Sequence, residues 1–222
     1  MERGLASNTL AAYRADLVAL GRWLAGHDAA LTRATRADLL AFIAARVEGG
    51  ARPRSTARQL SSFRRFYRFL VRDGVVREDP TAQIAMPRIG RSLPKSLSEA
   101  EVESLLAAPA IADPLGHRDR AMLEVLYAAG LRVSELVSLK LLETNLDAGV
   151  VRVLGKGSKE RLVPLGEEAV DWVRRYLAEA RGELLGRAQS EQLFVTRRGG
   201  GMTRQAFWNL VKRYGIAADR RS

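Results

Sequence analysis

A break in composition near residue 90 divides the sequence into two parts. Residues 1–90 contain 15 arginines, 8 acidic residues and no lysine, so every lysine lies in the remainder. At the break, residues 87–96 hold two prolines, one glycine and three cations but little apolar content. Because proline and glycine interrupt regular structure, we predict a linker over 87–96 between domains at 1–86 and 97–222. An ordinary surface loop is the alternative for 87–96.

The first part has helical periodicity throughout. Ser7 can cap a helix that runs to about Gly26, Thr35 can cap a second helix, and a third is predicted over about 55–73. The apolar side chains expected on the inward faces of these helices are Leu10, Tyr13, Leu17, Leu20, Leu24, Leu39, Leu40, Ile43, Val47, Leu60, Phe63, Tyr67 and Leu70.

The second part changes from helical to alternating periodicity. Ser98 and Glu101 form a capping-box pattern, and helices are predicted over about 98–107, 117–129, 133–140 and 167–184. Residues 150–154 and 162–164 flank a Gly-Lys-Gly-Ser turn and predict a β-hairpin. A short strand at 193–195 and a last helix capped by Thr203 follow. The fold class is therefore mainly α with a small β-hairpin or sheet, in two domains.

Charge and composition restrict the class of partner. The net charge of +11 favours a polyanion such as nucleic acid. The absence of cysteine excludes disulfides and thiolate metal sites. Since no apolar run approaches about 18 residues and no signal peptide begins the chain, a soluble, cytoplasmic protein without membrane association is expected.

The third predicted helix carries a run of arginines with no acid among them before Asp73. Four of the six recur at spacings of four and seven, which places them on one helical face, and the other two widen that face. Guanidinium groups suit phosphate oxygens and guanine edges, whereas a solvated face is the alternative. The predicted DNA-binding residues are Arg54, Arg58, Arg64, Arg65, Arg68 and Arg72.

Two further cations lie in tight local frames in the second part. Gly130 can end the preceding helix, so that Arg132 begins a new turn with Glu135 three residues further on the same face. Lys156 lies between two glycines at the predicted hairpin tip. Arginine offers a planar fork for two phosphate oxygens. Taken alone, Arg132 could instead form a surface ion pair, and Lys156 could be a solvated turn residue.

Together these segments resemble the tyrosine site-specific recombinases of the phage integrase family, in particular the bacterial Xer type. The resemblance covers essentially the whole chain. It is carried by LYAAGLRVSEL at 126–136 and VRVLGKGSKERLVPLG at 151–166, with further matches at 7–17, 79–82, 93–98 and 202–208.

The resemblance implies a helical, SAM-like core-binding domain and a catalytic domain that form a clamp around a double-stranded DNA recombination site. In the family a tyrosine attacks the scissile phosphate and forms a 3′-phosphotyrosyl link, with no metal or cofactor. Arg132 matches the catalytic arginine, Lys156 the catalytic hairpin lysine, and Glu135 the acidic residue that supports the arginine. The implied partners are a sister recombinase in a tetrameric synapse and a cell-division DNA translocase, in the resolution of chromosome dimers.

The family's later elements are not found in this sequence. A His-x-x-Arg helix, a later His or Trp and the nucleophilic tyrosine would follow the segment that begins at Tyr214. We therefore expect a fragment with an incomplete catalytic domain that binds DNA without cleaving it. A non-catalytic accessory or decoy module, or an RNA-binding protein, is the alternative. The tyrosines present fall at apolar helical spacing and are expected in the core, namely Tyr13, Tyr67, Tyr127, Tyr176 and Tyr214.

Overall fold

Two compact units make up the chain, residues 1–94 and residues 95–222. The computed structural model describes residues 7–87, 96–155 and 159–219. Of the segment interpreted as a linker, only Pro87 and Ser96 are described, so the course of 88–95 lies outside the described residues.

Local signals fix the helices of the first unit. Thr35 caps its helix with a capping box, because its hydroxyl accepts the Asp38 N–H while the Asp38 carboxylate accepts the Thr35 N–H. Pro53 begins the third helix, where its missing N–H costs no hydrogen bond. The helices are α1 Ser7–Ala25, α2 Arg36–Glu48 and α3 Pro53–Arg72.

The inward faces of these helices meet in one apolar core. Most of the predicted positions are buried, although Leu10, Leu40 and Val47 are exposed. The Tyr67 hydroxyl donates to the Leu31 carbonyl at 2.9 Å, and burial raises the pKa of that tyrosine to about 12. The core consists of Leu20, Leu24, Leu39, Phe42, Leu60, Phe63, Tyr67, Leu70 and Ile84.

The second unit begins with helices bounded by the predicted caps. Ser98 and Glu101 form the capping box, and Gly130 ends the longest of these helices in the left-handed conformation at φ 56°. Only glycine adopts that conformation at little cost, so Gly130 sets where the next turn begins. The helices are α4 Glu99–Ala107, α5 Pro114–Ala129 and α6 Val133–Ser138.

A three-stranded antiparallel sheet follows α6 and a 3₁₀ turn at Leu141–Glu143. Its strands, in spatial order, are β1 Thr144–Asn145, β2 Val150–Leu154 and β3 Glu160–Pro164. The predicted hairpin is formed by β2 and β3, with Val153 opposite Arg161. Strand β1 was not predicted, because two residues are too few to show alternation.

The helix predicted over 167–184 contains an irregular turn. Regular helices α7 Glu167–Arg175 and α8 Arg181–Leu185 flank a π-helical segment at Tyr176–Ala180. The Tyr176 hydroxyl accepts the Val195 N–H at 3.2 Å, and the Arg181 guanidinium donates to the carbonyls of 190, 192 and 193. The segment 193–195 is buried but forms no strand, since only isolated bridges occur at Gln192 and Val195, so the strand predicted there is wrong.

The last helix, α9 Arg204–Asp219, is held against α5 by a buried charge. Thr203 caps α9 as predicted, since its hydroxyl accepts the Ala206 N–H. Asp119 on α5 has no exposed surface, and its carboxylate accepts hydrogen bonds from Arg118 at 2.6 and 2.9 Å and from the Tyr214 hydroxyl at 2.7 Å. Arg213 adds a longer contact at 3.3 Å.

None of the described helices combines the length and apolarity needed to cross a membrane.

Replacing Asp119 by Ala should strongly destabilise the second unit. The Arg118 side chain, 7% exposed, would lose its counter-charge, and breaking a buried pair in this way costs about 3–5 kcal/mol. Tyr214→Phe removes one of several hydrogen bonds to the carboxylate and should cost about 1 kcal/mol. Chemical denaturation of both variants measures the difference, with Tyr127→Phe as a solvent-exposed control. Equal losses for Asp119→Ala and Tyr214→Phe would show that the carboxylate is not the central group.

Candidate active site and nucleic-acid interface

Arg132 lies at the N-cap of α6, directly after the turn that Gly130 makes possible. Its side chain is 68% exposed, and Nη1 donates to Glu135 Oε1 at 3.1 Å. Among the described residues, Nε and Nη2 of Arg132 have no hydrogen-bond partner. Glu135 therefore fixes the guanidinium through Nη1, and the edge formed by Nε and Nη2 can donate hydrogen bonds to an anion.

Glu135 is the mostly buried centre of this arrangement. Its side chain is 8% exposed and accepts the Arg132 backbone N–H at 2.9 Å as well as the Arg132 guanidinium. Two further hydrogen bonds come from Arg161, at 3.1 Å to Oε1 and 2.9 Å to Oε2. The Arg161 hydrogen bond is the main cause that lowers the pKa of Glu135 to about 2. The carboxylate is therefore ionised at neutral pH.

Arg161 was not among the predicted site residues, although the sequence held a signal for it. Strand β3 alternates, with Arg161 and Val163 less exposed than Leu162. An arginine on the less exposed side of a strand is stabilised by a nearby carboxylate. Glu135 supplies that carboxylate.

Lys156, the predicted hairpin lysine, lies outside the described residues. The described ends of the hairpin are closed by a hydrogen bond from the Gly155 N–H to the Lys159 carbonyl at 2.7 Å. The structure thus brings Arg132 and Glu135 together, and the role of Lys156 stays a prediction.

The arginines of α3 differ in how they are engaged. Arg58 donates to Asp16 on α1, a carboxylate that is 3% exposed and also accepts the Ser62 hydroxyl. Arg64 donates to the Ile84 carbonyl, and Arg72 pairs with Asp73. The interpretation that this face lacks counter-charges is therefore wrong for Arg58, because Asp16 comes from a different helix. Within the described ranges, the α3 arginines whose guanidinium groups have no hydrogen-bond or ion-pair partner are Arg54, Arg65 and Arg68.

The sequence predicts that all five tyrosines lie in the core, but the structure places only some of them there. Tyr67 and Tyr176 are buried, whereas Tyr13 and Tyr214 are half-buried. Burial, followed by the hydrogen bond to Asp119, raises the pKa of Tyr214 to about 12. Tyr127 is 63% exposed near the end of α5, so its predicted core position is wrong.

The described residues contain no cluster of three or more histidines, aspartates or glutamates that could hold a metal ion.

Comparison with protein families matches both units. The phage integrase N-terminal SAM-like domain matches residues 1–74, and the phage integrase family matches residues 95–222. The chain belongs to the phage integrase family. Tyrosine recombinase XerD of Pseudomonas aeruginosa is 58% identical over 98% of this chain and 73% of its own length. Tyrosine recombinase XerD of Yersinia pestis is 52% identical with the same coverage.

These identities confirm the prediction of a Xer-type tyrosine recombinase with a mainly helical, two-domain fold. Solved structures share this phage integrase fold. XerH recombinase bound to palindromic difH substrate has a TM-score of 0.74 and 18% identity, covering 94% of this chain and 62% of that chain. A lambda integrase tetramer bound to a Holliday junction has a TM-score of 0.72 and 20% identity, covering 98% and 60%. This chain therefore spans less than two thirds of both solved chains.

The Glu135→Gln substitution tests the charge network through pH. Because the folded-state pKa of Glu135 is lowered to about 2 from 4.5, its stabilising effect is present above pH 4.5 and is lost as pH falls toward 2. The variant should be less stable than the parent by about 1–3 kcal/mol at pH 7, and the difference should shrink below pH 4.5.

Urea unfolding at a series of pH values measures this difference. Glu168→Gln is the matched control, since Glu168 is exposed on α7 and forms no salt bridge with any described residue. A difference between parent and Glu135→Gln that stays constant down to pH 2 would contradict the assigned role of the carboxylate.

Proposed function

We propose that this family member binds the duplex of a recombination site, with Arg132 on the phosphate to be cleaved and α3 on the DNA backbone. The observation that carries the proposal is the geometry of Arg132, an exposed guanidinium with one edge fixed by an ionised carboxylate and the other edge open. A phosphodiester fits that edge as a planar, charge-assisted partner. Such a pre-oriented cation stabilises negative charge that develops on the phosphate oxygens.

The contribution of α3 is proposed to be electrostatic. Arg54, Arg65 and Arg68 are exposed and project from one face, and Asp16 keeps Arg58 oriented on the same face. Arg64 and Arg72, which the sequence also suggested, already have hydrogen-bond partners within the first unit and are expected to contribute less. Contacts of this kind position a protein on DNA, whereas base contacts specify the sequence.

We further propose that the 222 residues bind DNA without cleaving it, and that Lys156 stands at the position of the family's proton donor. Four of the tyrosines are buried or half-buried, and a phosphodiester attack needs an accessible, activated nucleophile. A sister recombinase and a cell-division DNA translocase are the proposed protein partners, and the cytoplasm is the proposed location.

Losing one α3 arginine should reduce the salt dependence of DNA binding. Each phosphate contact contributes about 0.9 to the slope of log affinity against log salt, so Arg65→Ala and Arg68→Ala should each lower the slope by roughly that amount. Fluorescence anisotropy with the recombination-site duplex of the Pseudomonas aeruginosa relative measures the slope. Arg187→Ala removes an exposed arginine outside α3 and is the charge-matched control. Unchanged slopes in both α3 variants would exclude α3 as a DNA face.

A nicked suicide duplex tests the absence of cleavage. We expect salt-dependent binding but no covalent protein–DNA adduct, with the Pseudomonas aeruginosa relative as the positive control. An adduct formed by this chain would contradict the proposal, and Tyr127→Phe would then test the exposed tyrosine. If extension of the chain with the C-terminal segment of that relative yields no adduct either, the accessory or decoy module becomes the better description.

A further inference from the structure

We propose that Arg161 is a positioning residue, which acts on Arg132 by balancing the negative charge of Glu135. This inference rests on the proposed function, in which Arg132 binds the phosphate. The starting observation is that one carboxylate from α6 is shared between an arginine of its own helix and an arginine of strand β3.

The hydrogen bonds occupy both oxygens of the carboxylate. Oε1 accepts Nη1 of Arg132 and Nη1 of Arg161, both at 3.1 Å, and Oε2 accepts the Arg132 N–H and Nη2 of Arg161, both at 2.9 Å. A carboxylate offers about four acceptor positions, so none remains for another donor. The two-point contact from Arg161 also prevents the carboxylate from rotating away from Arg132.

The charges explain why a second arginine is needed. Arg132 and Glu135 alone form a neutral pair, which would attract a phosphate only weakly. With Arg161 the group carries a net charge of +1, and Arg132 is the more exposed of the two cations, with a side chain 68% exposed against 40% for Arg161. Because both terminal nitrogens of Arg161 are bound to Glu135, Arg161 holds the carboxylate and leaves the open guanidinium edge to Arg132.

The fold fixes this geometry from two sides. Arg161 is opposite Val153 in the β2–β3 ladder, and Val153 is buried in the core of the second unit. Arg132 and Glu135 share the first turn of α6, whose Leu136 and Val137 are buried in the same core. The relative position of the two arginines is therefore set by core packing.

Epistasis in DNA binding tests the inference. Arg161→Gln should weaken binding of the recombination-site duplex about ten-fold, because Glu135 then neutralises Arg132. Arg161→Lys should fall between Arg161→Gln and the parent, since lysine restores the charge but not the two-point contact. In Glu135→Gln/Arg161→Gln the carboxylate is gone as well, and affinity should return to within about three-fold of the parent.

Two results would overturn the inference. If Glu135→Gln/Arg161→Gln binds as weakly as Arg161→Gln, removing the carboxylate does not restore Arg132, and Arg161 does not act by balancing the charge of Glu135. If the effect of Arg132→Ala is as large in the Arg161→Gln background as in the parent, Arg161 does not act through Arg132, whatever its effect on stability. Thermal unfolding of each variant confirms that binding is measured on folded protein. An Arg132→Ala variant with parental affinity would instead refute the proposed function itself.

Discussion

The carboxylate of Asp119 has no exposed surface, and the arrangement of the second unit depends on how it is satisfied. Arg118 neutralises it and also donates to the Val195 carbonyl, while Tyr214 and Arg213 reach it from α9. An ion buried without partners costs several kcal/mol, so α5, α9 and the segment at 193–195 must be in place together.

In each unit a buried carboxylate orients an exposed arginine of the predicted DNA-binding or catalytic set. Asp16 holds Arg58 in the first, and Glu135 holds Arg132 in the second. The carboxylates are 3% and 8% exposed, whereas the arginine side chains are 50% and 68% exposed. Since an arginine loses rotational freedom when it binds a ligand, fixing it during folding lowers the entropic cost of binding. Both arginines are thus oriented by the folded protein itself.

The sequence predicted those features that depend on neighbouring residues. The helix cap at Thr35, the capping box at Ser98, the glycine turn before Arg132 and the β2–β3 hairpin all follow from spacing within a few positions. Contacts between distant residues were missed, since no local pattern identifies Asp16 as the partner of Arg58 or Glu135 as the partner of Arg161. Tyr127 shows the complementary error: its spacing fits a buried stripe, but its place near the end of α5 leaves it exposed.

The π-helical segment at Tyr176–Ala180 gives the helix one residue more than a regular turn would hold. The Arg181 N–H bonds to the Tyr176 carbonyl five positions earlier, so every side chain after Ala180 is rotated by about 100° relative to an uninterrupted α-helix. That rotation directs Arg181 onto the carbonyls of the 190–193 segment. A single residue inserted into a regular helix would produce this geometry. A relative without it should show a one-residue gap at 176–180, together with a different group to satisfy those carbonyls.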